Sequence, residues 1–333
     1  MKVKIFTHND LDGVACAFLA DMAFEEVDVE YCDYTNIDSK VMDFISSGEF
    51  NNYTHVYITD ISLNKQTAEI IEHTQPKTFM EGFTLKNKFT LVDHHQTAEW
   101  MTDYSWCIVF QEDYCGKKIC GASLFLSLLK EEDYLDPNGI ESISSIYKDH
   151  DKAKSIDDFI ETVRQYDTYE WKSNNNREAK MWNDFLKILG KDNFRQELFN
   201  KLSSEGTIVL GPKDKDILQI EQDRIDRYIE EKGKSISRIN IKGYEAGVVF
   251  AENYVSELGN KLAETNTDLD FIAIVNMNTE KPVVNYRAVK DSVNLGKEIA
   301  EPQGGGGHPK SAGSPIPKEI RDNLIAQIFK EGS

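Results

Sequence analysis

The sequence predicts an α/β protein with two domains, and three observations support this prediction. In the first third of the 333-residue chain, short apolar runs rich in β-forming residues alternate with segments of helical periodicity. A second alternation starts near residue 235, after a long, charged and periodic segment. Strands that alternate with helices are typical of a parallel sheet covered by helices. We therefore expect a parallel-sheet domain over 1–210, a linker helix over 211–234 and a smaller C-terminal α/β domain over 235–333.

The elements of the N-terminal domain follow from apolar runs that are bounded by polar turns. Strands are predicted at 3–7, 27–31, 56–59 and 89–92. Helices are predicted between them at 13–23, 40–45 and 67–72. Beyond residue 121 the pattern becomes mostly helical, with the clearest helices at 122–130, 156–166, 179–188 and 194–202.

The second part of the chain begins where Gly211 and Pro212 interrupt the helical pattern. The segment 214–232 follows, and its isoleucines recur at helical spacing among many charged residues. Because it lies between the two alternations, it is the predicted linker helix. Beyond it, strands are predicted at 235–241, 246–250, 271–276 and 283–287, and helices at 254–264 and 318–329.

The composition excludes several classes of protein. The chain has 38 Lys and Arg against 57 Asp and Glu, which gives a formal charge of −19. Such a charge argues against a protein that coats long nucleic acid, because those proteins attract phosphate through a basic surface. The sequence lacks a run of about 18 apolar residues, so we expect no membrane span. Its five cysteines include no C-x-x-C pair, which favours free thiols and a cytoplasmic location.

Acidic and histidine side chains follow three of the predicted parallel strands. They are His8, Asp10 and Asp12 after the first strand, Asp60 after the third, and Asp93, His94 and His95 after the fourth. Because α/β sheets place ligand sites beyond the carboxyl ends of their strands, we expect these groups to converge. Four carboxylates crowded without cations would repel one another and take up protons. The set therefore suits two divalent metal ions, an arrangement used for phosphoester cleavage.

Each of these residues alone also has a structural explanation. Asp12 is a favourable N-cap for a helix that begins at Gly13. His8 would serve as a hydrogen-bonded structural histidine, and Asp60 as a turn residue. Their occurrence together at three strand ends nevertheless favours the metal cluster.

A glycine-rich stretch near the C-terminus is a second candidate site. Gly304, Gly305, Gly306 and Gly307 precede His308, and glycine allows an anion to approach the backbone amides closely. The stretch fits neither a Walker A loop nor a dinucleotide fingerprint, and a flexible linker is the structural alternative. Arg287, at the end of a predicted strand, is the preferred phosphate clamp because its planar guanidinium can contact two oxygens.

Together these motifs resemble the DHH phosphoesterase superfamily, named for the sequence found here at Asp93, His94 and His95. The resemblance covers most of the chain. The H-x-D-x-D-G motif starts at His8, and the Gly-Gly-Gly-His motif ending at His308 looks like that of the DHH-associated C-terminal domain. Only Asn9 separates the first His from the first Asp, which is similar to a subgroup of small oligonucleotide-degrading enzymes. The family also includes the related RecJ-type exonucleases.

The resemblance implies two metal ions, usually manganese, and a role for each matching residue. One ion would be held by His8 and Asp10, the other by Asp12 and His94, with Asp60 bridging them. A further ligand is expected from Asp167, with Asp149 and Asp151 as the competing candidates. Two groups are assigned to the reaction itself, with Asp93 orienting a neighbouring ligand and His95 contacting the substrate phosphate.

These residues lead to one functional prediction and several alternatives. We expect a manganese-dependent phosphodiesterase of the nano-RNase type, in which two metal ions activate a water for attack on phosphorus. Arg287 and Gly304–His308 are expected to bind the substrate, a short oligonucleotide or nucleotide rather than long duplex. The alternatives are a cyclic dinucleotide or cyclic mononucleotide phosphodiesterase, a 3′-phosphoadenosine 5′-phosphate phosphatase and a nucleotide-binding regulator without activity. The sequence leaves monomer and homodimer open.

Overall fold

The computed structural model describes residues 1–75, 79–80, 83–84, 87–131, 149–278 and 282–329. The chain divides into two compact units, Met1–Leu218 and Gln219–Ser333. The division falls inside the long helix Pro212–Gly233, which covers almost all of the segment expected to link the domains. Among the described residues, no helix is both long and apolar enough to cross a membrane.

A parallel sheet forms the centre of the first unit. Its strands, and those of a small separate ribbon, are β1 (Lys2–His8), β2 (Glu26–Cys32), β3 (His55–Thr59), β4 (Phe79–Met80), β5 (Phe83–Thr84), β6 (Phe89–Asp93) and β7 (Cys107–Val109). The order in the sheet is β2-β1-β3-β6-β7, and all neighbouring strands are parallel. β4 and β5 pair with each other. The predicted parallel sheet is therefore confirmed, with β7 as an edge strand that the sequence analysis did not identify.

Helices cover both faces of this sheet. The helices of the first unit are α1 (Leu11–Ala23), α2 (Ile37–Ser46), α3 (Lys65–Thr74), α4 (Gly121–Glu131), α5 (His150–Asp167), α6 (Glu170–Ser173), α7 (Arg177–Leu189) and α8 (Lys191–Ser204), with 3₁₀ turns at Glu49–Asn52 and Gln96–Asp103. The long helix Pro212–Gly233 is α9. Successive side chains of a strand point to opposite faces of the sheet, so they enter the two hydrophobic cores on its two sides. Ile5 packs with α1, α4 and α5, whereas Phe6 packs with α2 and α3.

The helix α1 begins two residues earlier than the sequence analysis predicted. Asp10 is its N-cap, and the Gly13 amide donates to Asp10 Oδ1 at 3.1 Å. Asp12 is therefore not the N-cap of α1, because it already lies in the first helical turn. A Cβ at Gly13 would lie 2.1 Å from the carbonyl oxygen of His8, so only glycine allows the helix to leave β1 so sharply.

The second unit contains a mixed sheet with a helix on each face. Its strands are β8 (Ser237–Ile241), β9 (Tyr244–Phe250), β10 (Phe271–Asn276), β11 (Val283–Ala288), β12 (Gly306–His308) and β13 (Ser311–Pro315), in the order β12-β13-β11-β10-β9-β8. Only β9 and β10 are parallel. The helical segments are α10 (Val255–Thr265), a π-helix (Leu295–Ala300), a 3₁₀ turn (Glu301–Gln303) and α11 (Lys318–Ile328). The second α/β alternation is thus confirmed.

Part of the glycine-rich stretch forms a strand and not a flexible linker. Residues 306–308 form β12, which pairs antiparallel with β13. The glycines permit close packing of the backbone, since a Cβ at Gly305 would lie 2.1 Å from the Gly313 carbonyl oxygen. Gly307 has a φ of +136°, which strains any other residue. A strand that consists mostly of glycine shows no alternation of apolar and polar side chains, so the sequence analysis missed it.

Candidate metal centre

The end of β1 presents two of the predicted ligands side by side. His8 Nδ1 lies 2.8 Å from Asp10 Oδ2 and 3.8 Å from Asp60 Oδ2. The orientation of Asp10 is fixed because its other oxygen accepts from the Gly13 amide at the start of α1. These three side chains form a group in which each offers one donor atom within 4.8 Å of the others.

Asp12 is held by the N-terminus of another helix. Its Oδ2 accepts from the Gly121 amide at 2.6 Å, and its Oδ1 accepts from the Ala122 amide at 2.9 Å. Both amides open α4, whose N-terminus favours a negative charge. The side chain is almost fully buried, so burial of a charge is offset here by two directed hydrogen bonds.

Asp60 follows β3 with a left-handed backbone, at a φ of +58°. Aspartate tolerates this region better than most residues, although the conformation is uncommon without a functional constraint. Its amide donates to the Val92 carbonyl oxygen at 2.9 Å, which continues the pairing with β6. The turn directs the buried carboxylate between His8 and His94, since its Oδ1 lies 3.2 Å from His94 Nε2.

At the end of β6, the carboxylate of Asp93 forms hydrogen bonds with both of the histidines that follow it. Asp93 Oδ1 accepts from the amide of His94 at 2.8 Å and from His95 Nδ1 at 2.7 Å. His94 then points its Nε2 into the cluster, and His95 leaves its Nε2 for another partner. Asp93 therefore holds the backbone of His94 and the ring of His95.

The structure places Asp167, at the end of α5, beside the histidines. Its Oδ2 lies 3.4 Å from His94 Nε2, and Asp12, His94 and Asp167 form a second group of three donors. Asp149 and Asp151 lie at the opposite end of the same helix. Asp149 is the N-cap of α5 and accepts from the Asp151 amide at 3.2 Å. The sequence analysis preferred Asp167 over Asp149 and Asp151, and the structure places Asp167 beside His94.

Burial and mutual repulsion dominate the electrostatics of the cluster. Burial, followed by the charges of Asp12 and Asp10, raises the pKa of Asp60 well above its usual range. The same causes raise the pKa of Asp167 to about 8. Burial also lowers the pKa of His94. Each of these shifts favours the neutral form of the side chain. They indicate that too few cationic groups surround the carboxylates to offset their burial and mutual repulsion.

Hydrogen bonding reverses the effect of burial at two positions. Burial alone would raise the pKa of Asp10, but the hydrogen bond and charge of His8 bring it below its usual value. Burial would likewise lower the pKa of His95, yet the hydrogen bond to Asp93 and its charge raise it. His95 is therefore better suited than His94 to carry a positive charge towards an anion.

The donor set fits divalent cations. Asp60 Oδ2 and Asp93 Oδ2 are buried and have no hydrogen-bond partner among the described residues. An unpartnered buried carboxylate oxygen is costly unless a cation or water satisfies it. Two groups of three donors, one with His8 and one with His94, contain only carboxylate and imidazole atoms. That chemistry suits manganese and similar ions rather than a thiolate-bound structural zinc.

Two residues of this region were missed by the sequence analysis. Tyr34 follows β2, and its hydroxyl lies 3.2 Å from His95 Nε2 while its ring centroid lies 5.2 Å from that of His8. Its place after a parallel strand was the signal that could have identified it. Gly121 is the other, and nothing in the sequence pairs it with Asp12, which is 109 residues away.

We expect Gly121→Ala to lower the free energy of unfolding by about 1–3 kcal/mol, because a new Cβ is forced into the cluster. That atom would lie 2.7 Å from Asp60 Cβ and 3.0 Å from Asp12 Oδ2. Denaturant unfolding would measure the loss. Gly233→Ala is the matched control, since its Cβ would meet Leu262 at an ordinary 3.5 Å. Equal stability of the two variants would contradict the close approach at Gly121.

The candidate substrate-binding residues lie in the second unit. Arg287, in β11, donates from Nη1 to Ser311 Oγ at 2.6 Å and from Nη2 to Ser256 Oγ at 3.4 Å. Burial lowers the pKa of this guanidinium. Within the same sheet, β12 carries Gly306 and Gly307 and ends at the exposed His308. β13 connects the two features, because it pairs with both β11 and β12.

Comparison with known proteins gives a relative that matches nearly the whole chain. The chain is 30% identical to the oligoribonuclease NrnB of Bacillus subtilis over 328 residues, which is 98% of this chain and 76% of NrnB. No family model matches. Among solved structures, a pGpG-specific phosphodiesterase, PggH of Vibrio cholerae, is similar with a TM-score of 0.48 and 13% identity, over 99% of this chain and 100% of that one. The exonuclease RecJ bound to manganese has a TM-score of 0.46 and 12% identity, over 98% and 89%.

Proposed function

The chain belongs to the DHH phosphoesterase superfamily, in its nano-RNase-like group, and from this premise we propose that it is a metal-dependent phosphodiesterase that hydrolyses short oligonucleotides. The observation that carries the proposal is the pair of three-donor groups, His8, Asp10, Asp60 and Asp12, His94, Asp167, which meet at the carboxyl edge of one parallel sheet. The relative NrnB is an oligoribonuclease, and it supplies the substrate class.

We assign one divalent ion to each of the two groups, with Asp60 shared between them. The contacts that support this sharing are those of Asp60 with His8 on one side, at 3.8 Å, and with His94 on the other, at 3.2 Å. When bound, such ions supply Lewis-acid polarisation of phosphoryl oxygens and activation of a water nucleophile. Mixed carboxylate and imidazole donors favour manganese among the available ions.

Asp93 and His95 have a different task in this proposal. Asp93 accepts the Nδ1 proton of His95 at 2.7 Å and so leaves Nε2 as the outward-facing nitrogen. Because the pKa of His95 is raised, a protonated Nε2 can donate to a phosphate oxygen of the substrate as negative charge develops there. Asp93 acts only through the histidine and is therefore a positioning residue.

The second unit is proposed to contribute residues that bind the oligonucleotide. Arg287 offers a fork whose orientation Ser311 fixes, and the glycines of β12 leave backbone amides accessible to an anion. The net charge of −19 disfavours long nucleic acid, so we propose short single strands rather than duplex as substrates. Five free cysteines, three of them buried, support a cytoplasmic location.

The test is hydrolysis of 5′-labelled RNA and DNA of two to about twenty-four nucleotides with manganese or magnesium. We expect the shortest oligomers to disappear first and a chelator to abolish the reaction. Cyclic di-AMP is assayed in parallel, because its cleavage distinguishes the alternative of a cyclic dinucleotide phosphodiesterase from the proposed function. Cleavage of the cyclic compound alone would replace the proposed substrate class. Metal binding without cleavage of any substrate would overturn the enzyme assignment in favour of a regulator.

A further inference from the structure

The exposed aromatic side chains of the first unit are concentrated at the edge of the sheet that carries the metal centre. Among its described residues, four Phe, Tyr or Trp side chains are exposed, namely Tyr34 (52%), Phe110 (59%), Tyr114 (100%) and Tyr169 (71%). Isolated exposed apolar residues are normal on a protein surface. These four, however, all lie in three connections that follow β2, β7 and α5. Parallel strands bring the carboxyl ends of β2 and β7 to the same edge as the cluster.

Three of these residues lie near residues of the cluster, two through a contact and one through its position in the chain. The Tyr34 hydroxyl lies 3.2 Å from His95 Nε2. The Phe110 amide donates to the Asp93 carbonyl oxygen at 3.3 Å. Tyr169 comes two residues after Asp167 and has a left-handed backbone, with a φ of +62°. We call Tyr34, Phe110 and Tyr169 the aromatic rim.

The order of the strands places the rim on both flanks of the metal centre. β2 and β7 are the outer strands of the sheet, and β1, β3 and β6 between them carry most of the cluster. Tyr34 follows β2, but its ring lies beside His8 and its hydroxyl reaches His95 at the end of β6. Phe110 follows β7, and its amide bonds to Asp93 at the end of β6. The two aromatic residues therefore approach the cluster from strands at opposite edges of the sheet.

A lysine adds positive charge beside the rim. Lys172 Nζ lies 5.5 Å from the ring centroid of Tyr169 and 5.5 Å from that of Trp171. Trp171 in turn stacks on Tyr166. Aromatic rings interleaved with a cation are the arrangement that binds single-stranded nucleic acid without reading its sequence. In a chain of charge −19, a cation above an exposed ring two residues from Asp167 points to an anionic, base-bearing ligand.

We propose that the aromatic rim stacks on the nucleobases that flank the phosphate held at the metal centre. This inference rests on the proposed function and deepens it, because it assigns base recognition to three side chains of the first unit. Stacking tolerates every base, so the rim would confer preference for a base-bearing single strand without preference for sequence. The rings would raise affinity for the substrate and leave the chemical step unchanged.

The experiment compares Tyr34→Leu, Phe110→Leu and Tyr169→Leu with the wild-type chain on two substrates. One is a trinucleotide, and the other is a trimer of the same phosphates and sugars that lacks its bases. We expect Phe110→Leu and Tyr169→Leu to raise KM for the trinucleotide about five-fold or more at nearly constant kcat, and to leave the abasic trimer unaffected. Tyr34→Leu also removes the hydroxyl beside His95, so it is compared with Tyr34→Phe, over which it should raise KM for the trinucleotide about five-fold or more. Phe329→Leu, an exposed aromatic residue of the second unit, is the matched control.

Two conservative variants separate stacking from hydrogen bonding. Tyr34→Phe and Tyr169→Phe keep the ring, so they should retain nearly wild-type KM. A large increase in KM for Tyr34→Phe would assign the effect to the contact of the Tyr34 hydroxyl with His95. It would overturn stacking at that position. Melting curves for all variants exclude misfolding as the cause of a change.

The outcomes also distinguish this inference from the proposed function. If the wild-type chain hydrolyses both trimers with equal kcat/KM, the enzyme assignment stands and the rim is refuted. If it hydrolyses neither, the proposed function fails. The rim is then tested by fluorescence titration of a labelled trinucleotide, where unchanged affinity in the leucine variants would refute it.

Discussion

Replacing Asp60 by asparagine should reduce oligonucleotide hydrolysis by about a thousand-fold or more while leaving the protein folded. Each of the two donor groups contains one histidine, His8 in the first and His94 in the second. The Asp60 carboxylate lies close to both of them. A neutral amide cannot offset the charge of two cations, and rate enhancements that depend on bound metal ions are lost when a shared ligand is removed. Steady-state hydrolysis of a dinucleotide at saturating manganese would measure the loss.

The stability of the same variant distinguishes a missing ligand from a damaged fold. Since burial and neighbouring carboxylates raise the pKa of Asp60, its negative charge destabilises the metal-free chain near neutral pH. Asp60→Asn should therefore melt at the same or a higher temperature than wild type in chelator, and should bind fewer ions in titration calorimetry. Asp43→Asn, an exposed residue on α2, is the matched control and should alter neither property. Retention of a tenth of the wild-type rate by Asp60→Asn would contradict the shared-ligand assignment.

Much of the candidate centre could be predicted from the sequence because most of its proposed ligands lie near strand ends. The periodicity that locates β1, β3 and β6 also locates His8, Asp60 and His94, since parallel strands of one sheet end at one edge. The prediction needed no distances, only the order of apolar runs and the residues that follow them. The local motif was sufficient wherever the ligand and its supporting element are adjacent in the chain.

Features that depend on contacts between distant segments could not be predicted in this way. Asp12 looked like the N-cap of its own helix, yet it accepts from the first amides of α4, more than a hundred residues later. Gly121 is required by that packing and carries no local signal of it. Tyr34 meets His95 only because β2 and β6 belong to the same sheet. Each case depends on which elements become neighbours, which composition and periodicity do not specify.

Without metal, the contribution of Asp167 to the stability of the chain should fall as the pH rises from about 4 to about 8. The pKa of Asp167 is raised from its usual 3.8 to about 8 by burial and then by Asp12 and Asp10. A carboxyl whose pKa is higher in the folded state binds its proton more tightly there. Its contribution is therefore complete below about pH 4 and lost on the way to pH 8, at up to about 1.4 kcal/mol per pH unit.

The difference between wild type and Asp167→Asn isolates this contribution from those of all other groups. The variant has no carboxyl at this position, so in chelator it should be the more stable protein at pH 8, and its advantage should shrink steadily as the pH is lowered towards 4. Thermal melting at half-unit intervals of pH measures the difference. Asp158→Asn, exposed on the same helix, is the control and should run parallel to wild type throughout.

Addition of manganese should reverse the ranking of the two proteins. Cations that bind the ionised cluster stabilise the folded wild-type chain by mass action, and the stabilisation should grow with pH because proton and metal compete for the same carboxylates. Asp167→Asn lacks one donor of the Asp12–His94 group, so its melting temperature should rise less on addition of the ion. An equal rise in melting temperature of both proteins with manganese at pH 8 would place Asp167 outside the metal centre. Its position beside His94 would then have no role in binding the ion.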